Sequence, residues 1–256
     1  MKALTSLFPL TNRLLKDRIC KFQKRVTLNL ARNQPLLYQI TSRQTFLRRT
    51  DQGQSANQLQ IEAIRQAAAA GCQLIQIREK DLNARALVEF TCQAIAVARP
   101  YGAKVLVNDR LDVAIAAQAD GVHLRVTSLP TANVRQAVVE NGLKEFLIAV
   151  STHSLIEAKA AETGGADFIV SGPVYDTPSK REFGEPMGLN RFADICQTVN
   201  IPVLALGGIN MTNFHQPLDA GAAGIAAIGL FSALENLPHT IATILAHPTG
   251  HHFPAN

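Results

Sequence analysis

The chain has 256 residues, of which 47% are hydrophobic and 18% charged, so it can bury a sizeable core, and wholesale disorder is excluded. Its net charge of +5 is unevenly spread, because residues 1–35 hold eight Lys or Arg against one acid, a net of +7. The remaining residues have a net charge of −2, which argues against a nucleic-acid-binding surface on the body of the protein.

The basic stretch 1–35 lacks the strand and helix alternation of the following sequence, so we predict an N-terminal extension that is disordered or loosely docked. An amphipathic organellar or membrane-surface segment, or a start placed upstream of the true domain, are the alternatives. No apolar run reaches the roughly 18 residues of a membrane-spanning helix. The widely spaced cysteines form no CxxC pair and are interpreted as small buried hydrophobes in a reducing, cytoplasmic location; they are Cys20, Cys72, Cys92 and Cys196.

From Leu36 onward, short apolar runs alternate with Ala- and Gln-rich stretches of helical periodicity. The runs are rich in Val, Ile and Leu, as expected of parallel strands covered on both faces. The predicted strands are 36–41, 74–79, 104–108, 121–124, 146–151, 167–172, 202–208 and 224–229. The predicted helices are 57–71, 83–99, 110–118, 131–141, 154–164, 188–199, 211–220 and 231–245.

Eight strands that alternate with eight helices predict a single α/β domain, a (β/α)8 TIM barrel, over residues 36–246. An open doubly wound sheet is disfavoured because no GxGxxG follows the first strand. Residues 247–256 contain Pro, Gly and His and are predicted to be a flexible tail. In a barrel of this kind the active site lies at the carboxyl ends of the strands, so the residues that follow each strand are the candidates.

The second strand ends in Gln76, Arg78 and Lys80, which alternation directs toward the barrel mouth. Two cations and an amide suit a phosphate or diphosphate, although a solvated ion-pair cluster with Glu79 and Asp81 is the alternative. The third strand ends in Asn108 and Asp109, which can cap the next helix or can supply an amide for a ring and a carboxylate for Mg²⁺.

The later strand ends carry hydroxyl groups, an ammonium group and glycines. The loop after the sixth strand holds Thr177, Ser179 and Lys180, which suit oxygen anions. Gly207–Gly208 and Ile228–Gly229 follow the last two strands, where backbone amides can approach a phosphate.

Two histidines near the strand ends differ in their expected roles. His123 lies inside a strand run and is interpreted as a packed core histidine. His153 follows the fifth strand, at the catalytic face, where it could move protons.

Together these strand ends resemble the thiamine phosphate synthase / TenI family over residues 36–246. The matching stretches are Gln76–Lys80, Asn108–Asp109, Ala119–Leu124, Ser151–Ser154, Gly172–Lys180 and Gly207–Ile209. The resemblance implies a transferase of thiamine biosynthesis that condenses hydroxymethylpyrimidine diphosphate with thiazole phosphate, giving thiamine phosphate and pyrophosphate. The implied partners are phosphorylated small molecules, with no nucleic acid and no membrane; whether the protein forms a homo-oligomer is left open.

The resemblance also implies roles for individual residues, and Asp109 would ligate Mg²⁺. Residues that would hold the pyrimidine diphosphate or its leaving group are Gln76, Arg78, Lys80, Asn108, Ser151 and Lys180. Residues that would bind the thiazole phosphate are Thr177, Ser179, Gly208, Ile228 and Gly229.

Two positions depart from the family pattern. Ser128 stands where the synthases have a second magnesium carboxylate, which should weaken Mg²⁺ binding, and Arg125 could supply positive charge instead. Gly229 stands where Ser is frequent. Two alternatives to a synthase therefore stay open, namely a TenI-type thiazole tautomerase that uses His153 and a non-catalytic regulatory barrel that binds phosphate ligands.

Overall fold

The computed structural model describes residues 34–52, 54–177 and 185–249. Its centre is a closed barrel of eight parallel strands in the order β1 to β8, with each strand paired to its neighbours in the chain and β1 paired to β8. The predicted barrel is confirmed. The strands are β1 Leu36–Ile40, β2 Leu74–Ile77, β3 Lys104–Asn108, β4 Gly121–Leu124, β5 Leu147–Thr152, β6 Phe168–Ser171, β7 Val203–Leu206 and β8 Gly224–Ala227.

An α-helix follows every strand within the described ranges. These helices are α1 Ala56–Ala69, α2 Ala84–Ala98, α3 Leu111–Ala116, α4 Thr131–Glu140, α5 Leu155–Thr163, α6 Gly188–Thr198, α7 His215–Asp219 and α8 Leu237–Leu245. No helix among the described residues is long and apolar enough to cross a membrane.

Local sequence sets where several of these helices begin. The Ser55 hydroxyl accepts from the Gln58 amide while the Gln58 side chain accepts from the Ser55 amide, which is a capping box for α1. Asn83 and Ser154 cap α2 and α5 in the same manner with one side-chain bond each.

The last two helices are shorter than the sequence predicted. Helix α7 begins at His215 rather than at residue 211, because the side chain of Asn210 accepts from the amide of Thr212 and holds a turn there. The segment predicted as helix from 231 begins as a 3₁₀ helix, Gly229–Phe231, and α8 starts only at Leu237. A 3₁₀ helix at Arg43–Gln52 was not predicted.

The core has two layers separated by the barrel wall. Alternation along each strand sends one set of side chains inside the barrel and the other against the helices. The inner set is tightly filled, so the barrel is a packed core; it includes Leu36, Tyr38, Leu74, Leu106, Leu147, Phe168 and Leu204. Gly224 is required where β8 meets β1, because a Cβ there would lie 2.0 Å from the backbone oxygen of Leu36.

Two aspartates fix the amino-terminal ends of the strands, opposite the active-site face. Asp120 accepts from the backbone amide of Val105 at 2.9 Å. Asp167 accepts from the amide of Ile148 at 2.7 Å and from Arg135 at 2.6 Å. Carboxylates that bond strand amides, with Asp167 buried and Asp120 partly so, hold the register of β3 to β6, so these residues serve stability.

The two ends of the chain lie partly beyond the described ranges. Residues 1–33, most of the predicted extension, are outside them, as are residues 250–256 of the predicted tail. The first tail residue, His247, has contacts of its own: its Nε2 lies 3.0 Å from Asp219, and its ring lies edge-on to Phe214.

Candidate active site

Polar side chains from neighbouring strands meet at the carboxyl end of the barrel. Gln76 on β2 is buried, and its Nε2 donates to Oδ1 of Asn108 on β3 at 3.4 Å. The alternation that places Gln76 inside the barrel is the one predicted from the sequence. The pair offers amide donors and acceptors that suit the edge of a nitrogen heterocycle.

The loop after β2 presents the first cations. The amide of Arg78 donates to Oγ1 of Thr41 at 2.9 Å, which fixes the start of the loop, and the Arg78 side chain is half-buried. Burial lowers the pKa of Arg78, Glu79 opposes that change, and the charge of Arg125 lowers it further. A guanidinium stays charged despite such shifts, so Arg78 remains a cation at the mouth. Lys80 is exposed on the same loop.

Arg43, which the sequence analysis did not identify, stabilises the loop after β2. Its amide and Nε donate to Oε2 of the buried Glu79 at 3.0 and 3.3 Å, and its Nη2 donates to Asp81 at 2.7 Å. Burial raises the pKa of Glu79, and these donors act in the opposite direction. The ion-pair cluster that the sequence offered as the alternative around Glu79 and Asp81 therefore exists, with Arg43 as a cation in it, and the charge of Glu79 also acts on Arg78. No sequence signal marks Arg43, because the 3₁₀ helix that carries it has no recognisable pattern.

Asp109, the predicted metal ligand, is engaged by two donors of its own chain. It adopts a left-handed conformation with φ 64°, and its amide donates to the His123 carbonyl at 2.8 Å. The Ser128 hydroxyl bonds one carboxylate oxygen, and the Arg125 guanidinium bonds the other. The amide of Arg125 in turn donates to Oγ of Ser128 at 2.8 Å, so the loop closes on Asp109.

A hydrogen-bonded chain of three side chains forms the floor of the mouth. Nδ1 of His123 lies 3.2 Å from the Tyr38 hydroxyl, and its Nε2 lies 2.8 Å from Oγ of Ser151. Burial, with a smaller effect of the Arg78 charge, lowers the pKa of His123 to about 3. His123 is thus a neutral, packed histidine, as interpreted from the sequence, and it also orients Ser151.

His153 lies at the same face but makes backbone contacts. Its Nδ1 is 2.5 Å from the Gly172 carbonyl, and its amide donates to Glu157 at 2.6 Å. A carbonyl accepts only from a protonated nitrogen, so Nδ1 carries a proton and the side chain ties the β5 loop to the end of β6.

The opposite side of the mouth is lined by glycines at the ends of β7 and β8. Gly208 has φ 68°, and a Cβ there would lie 2.6 Å from Cβ of Tyr175 and 2.8 Å from the Asp176 carbonyl, so the turn requires glycine. Gly229 begins the 3₁₀ helix after Ile228 and has open space on its Cβ side. Thr177 is the last described residue before the gap in the β6 loop; Ser179 and Lys180 lie outside the described residues.

Cysteine burial matches the sequence interpretation only in part. Burial raises the pKa values of Cys72 and Cys196 to about 12 each, whereas Cys92 is exposed on α2. Cys20 is outside the described residues.

These features define a (β/α)8 barrel with a cationic, amide-lined half and a glycine-lined half around one mouth, which is the arrangement of an enzyme acting on phosphorylated small molecules. The family model described as thiamine monophosphate synthase matches residues 47–231. The chain belongs to this family.

Individual relatives agree with that membership. A putative thiamine-phosphate synthase from Geobacter sulfurreducens is 43% identical over 184 residues, which is 72% of this chain and 84% of the relative. A thiamine-phosphate synthase from Roseiflexus is 36% identical over 70% of this chain and 74% of its own length. A solved structure of thiamine phosphate pyrophosphorylase from Pyrococcus furiosus has a TM-score of 0.68 at 32% identity, and the match covers 83% of this chain and 94% of that one.

Proposed function

We propose that this protein is a thiamine-phosphate synthase, a transferase that condenses hydroxymethylpyrimidine diphosphate with thiazole phosphate. Family membership supports the reaction, and one structural observation carries it: a half with cations and side-chain amides and a half with glycines share a single mouth. In the closed order β1 to β8, strands β3 and β4 lie across the barrel from β7 and β8. Two phosphorylated substrates can therefore lie on opposite sides, with their reacting ends meeting over the barrel axis.

The pyrimidine diphosphate occupies the half formed by β2 to β5. Gln76 and Asn108 hold the ring by their amides, and Arg78 and Lys80 face the diphosphate. Ser151, oriented by His123, donates to the leaving group. Lys180 of the β6 loop completes this set in the proposal, as the family resemblance implies.

The thiazole phosphate occupies the half formed by β7 and β8. Backbone amides at Gly208, Ile228 and Gly229 approach its phosphate, since glycine allows a close approach. The hydroxyls of Thr177 and Ser179 supply two further donors in this proposal.

The proposed reaction depends on stabilisation of the negative charge on the leaving pyrophosphate more than on proton transfer. The bond between the pyrimidine methylene carbon and the diphosphate oxygen breaks, and pyrophosphate leaves with the bonding electron pair. The thiazole nitrogen then donates its lone pair to the resulting cation and forms the new C–N bond. Fixed cations stabilise the charge that develops on the leaving group, which is the main contribution of the protein.

Mg²⁺ is the cofactor that family membership implies, and Asp109 is the described residue that would hold it. The donor set fits such an ion poorly, because the one carboxylate is bonded by Arg125 and the second ligand position is Ser128. Across the described ranges no group of three or more His, Cys, Asp or Glu could hold a metal. Mg²⁺ therefore stays a prediction of the resemblance, and the cytoplasmic location stays a prediction of the cysteine pattern.

Simultaneous binding tests the proposal. Calorimetric titration of thiazole phosphate into protein saturated with pyrophosphate should show a ternary complex, because the two anions occupy opposite halves. Competition between the two ligands would place them in one site and would contradict the proposal.

A further inference from the structure

The carboxylate of Asp109 already has a cation beside it. Arg125 bonds one oxygen and Ser128 the other, and the amide of Arg125 closes the loop on Ser128. These three side chains lie where the carboxyl ends of β3 and β4 meet, because the amide of Asp109 donates to the carbonyl of His123. A positive charge is thus fixed by the protein at the place where the family resemblance puts a metal ion.

A divalent cation would have to share the carboxylate with this arrangement. Magnesium bound to Asp109 would lie beside the like charge of the Arg125 guanidinium, which disfavours its binding. Ser128 offers a neutral hydroxyl at the position where the synthases have a second carboxylate, so no further negative charge compensates for Arg125 and favours Mg²⁺ binding.

We propose that Arg125 is a diphosphate-binding residue that supplies, from the protein itself, the positive charge otherwise expected of Mg²⁺ held by Asp109. This inference rests on the proposed function. Asp109 and Ser128 act as positioning residues that hold the guanidinium at the mouth.

The geometry leaves Arg125 able to bind a ligand. Its side chain is half-exposed, with 50% of its surface accessible, so N–H donors beyond the one on Asp109 can reach an anion. The charge of Arg125 also contributes to the lowered pKa of Arg78, so the two guanidinium groups lie near enough to interact electrostatically. Paired guanidinium groups bind phosphate oxygens bidentately, which suits a diphosphate.

Pyrophosphate binding in excess chelator tests the inference. Calorimetric titration of the full chain should show binding, and Arg125→Gln should weaken it by about tenfold or more, the usual cost of a charge-assisted hydrogen bond. Arg110→Gln is the matched control, because Arg110 follows Asp109 directly but pairs with Asp112. That variant should bind pyrophosphate within about twofold of the wild type.

Titration of Mg²⁺ alone provides the second measurement. The wild type should show no saturable binding, whereas the double variant Arg125→Gln, Ser128→Asp should gain it, because two carboxylates are then free of the guanidinium. Saturable Mg²⁺ binding by the wild type would overturn the inference. The same pyrophosphate affinity in chelator for the wild type and for Arg125→Gln would also overturn it.

Failure of the inference can be told apart from failure of the proposed function. Thiamine phosphate formation by the wild type, with pyrophosphate binding that is independent of Arg125, would overturn only the inference. Arg125-dependent pyrophosphate binding in a protein that never forms thiamine phosphate would overturn only the proposed function.

Discussion

Acidification should destabilise the protein through His123. The ring is neutral in the folded barrel, where its pKa is about 3, whereas an unfolded chain restores the ordinary value of 6.5. Below pH 6.5 the unfolded state therefore binds a proton that the folded state does not. The stability that the neutral His123 ring contributes is fully present above pH 6.5 and is lost as the pH falls toward 3.

The size of the effect follows from the two pKa values. At pH 5 the unfolded ring is almost fully protonated and the folded ring is not, which amounts to about 2 kcal/mol. The difference stays at about 2 kcal/mol for any folded pKa below about 4, so it depends mainly on the burial of the ring.

Denaturant unfolding at pH 7 and pH 5 measures this contribution. His123→Gln keeps an amide that can bond the Ser151 hydroxyl but cannot titrate, so its loss of stability between the two pH values should be about 2 kcal/mol smaller than that of the wild type. An imidazole ¹⁵N titration of the wild type checks the same point without a variant, and the His123 signal should not move between pH 7 and 4.5. Equal losses for both proteins, or a midpoint near pH 6 for that signal, would refute the reasoning.

Four further outcomes are expected. Gly229→Asp should raise the KM for thiazole phosphate at least tenfold, by placing a carboxylate in open space beside the phosphate, whereas Gly229→Ser should change it less than about threefold. His153→Ala should lower kcat less than about tenfold, since no proton transfer limits the coupling; a loss of about 10²–10⁴ would instead favour the tautomerase. Iodoacetamide followed by peptide mass spectrometry should modify Cys92 in the native protein while the two buried thiols stay unmodified until unfolding. A chain that begins at Gln34 should keep its melting temperature and activity, and a fall of several degrees would show that the extension packs on the barrel.

Periodicity predicted the barrel because parallel strands covered on both faces are continuously apolar and their helices are amphipathic. The least accurate predictions were local. Asn210 forms a turn in place of the first part of α7, and the segment around Arg43 forms a 3₁₀ helix without apolar spacing. Both depend on side-chain hydrogen bonds, which a hydrophobic pattern does not encode.

The site was predictable where strand alternation decides it, as for Gln76 and Asn108. The partners of Glu79 and Asp109 were not predictable, because they come from distant parts of the chain. Arg43 bonds Glu79 from the loop after β1, and Arg125 bonds Asp109 from the loop after β4. Arg125 is an ordinary exposed cation by sequence, and only its contact with Asp109 indicates a role at the anion site.

Product formation tests the central claim most directly. Purified protein incubated with hydroxymethylpyrimidine diphosphate and thiazole phosphate should release pyrophosphate and form thiamine phosphate in equal amounts, both abolished when either substrate is omitted. Conversion of a thiazole phosphate alone to an isomer, with no thiamine phosphate formed when both substrates are present, would contradict the account.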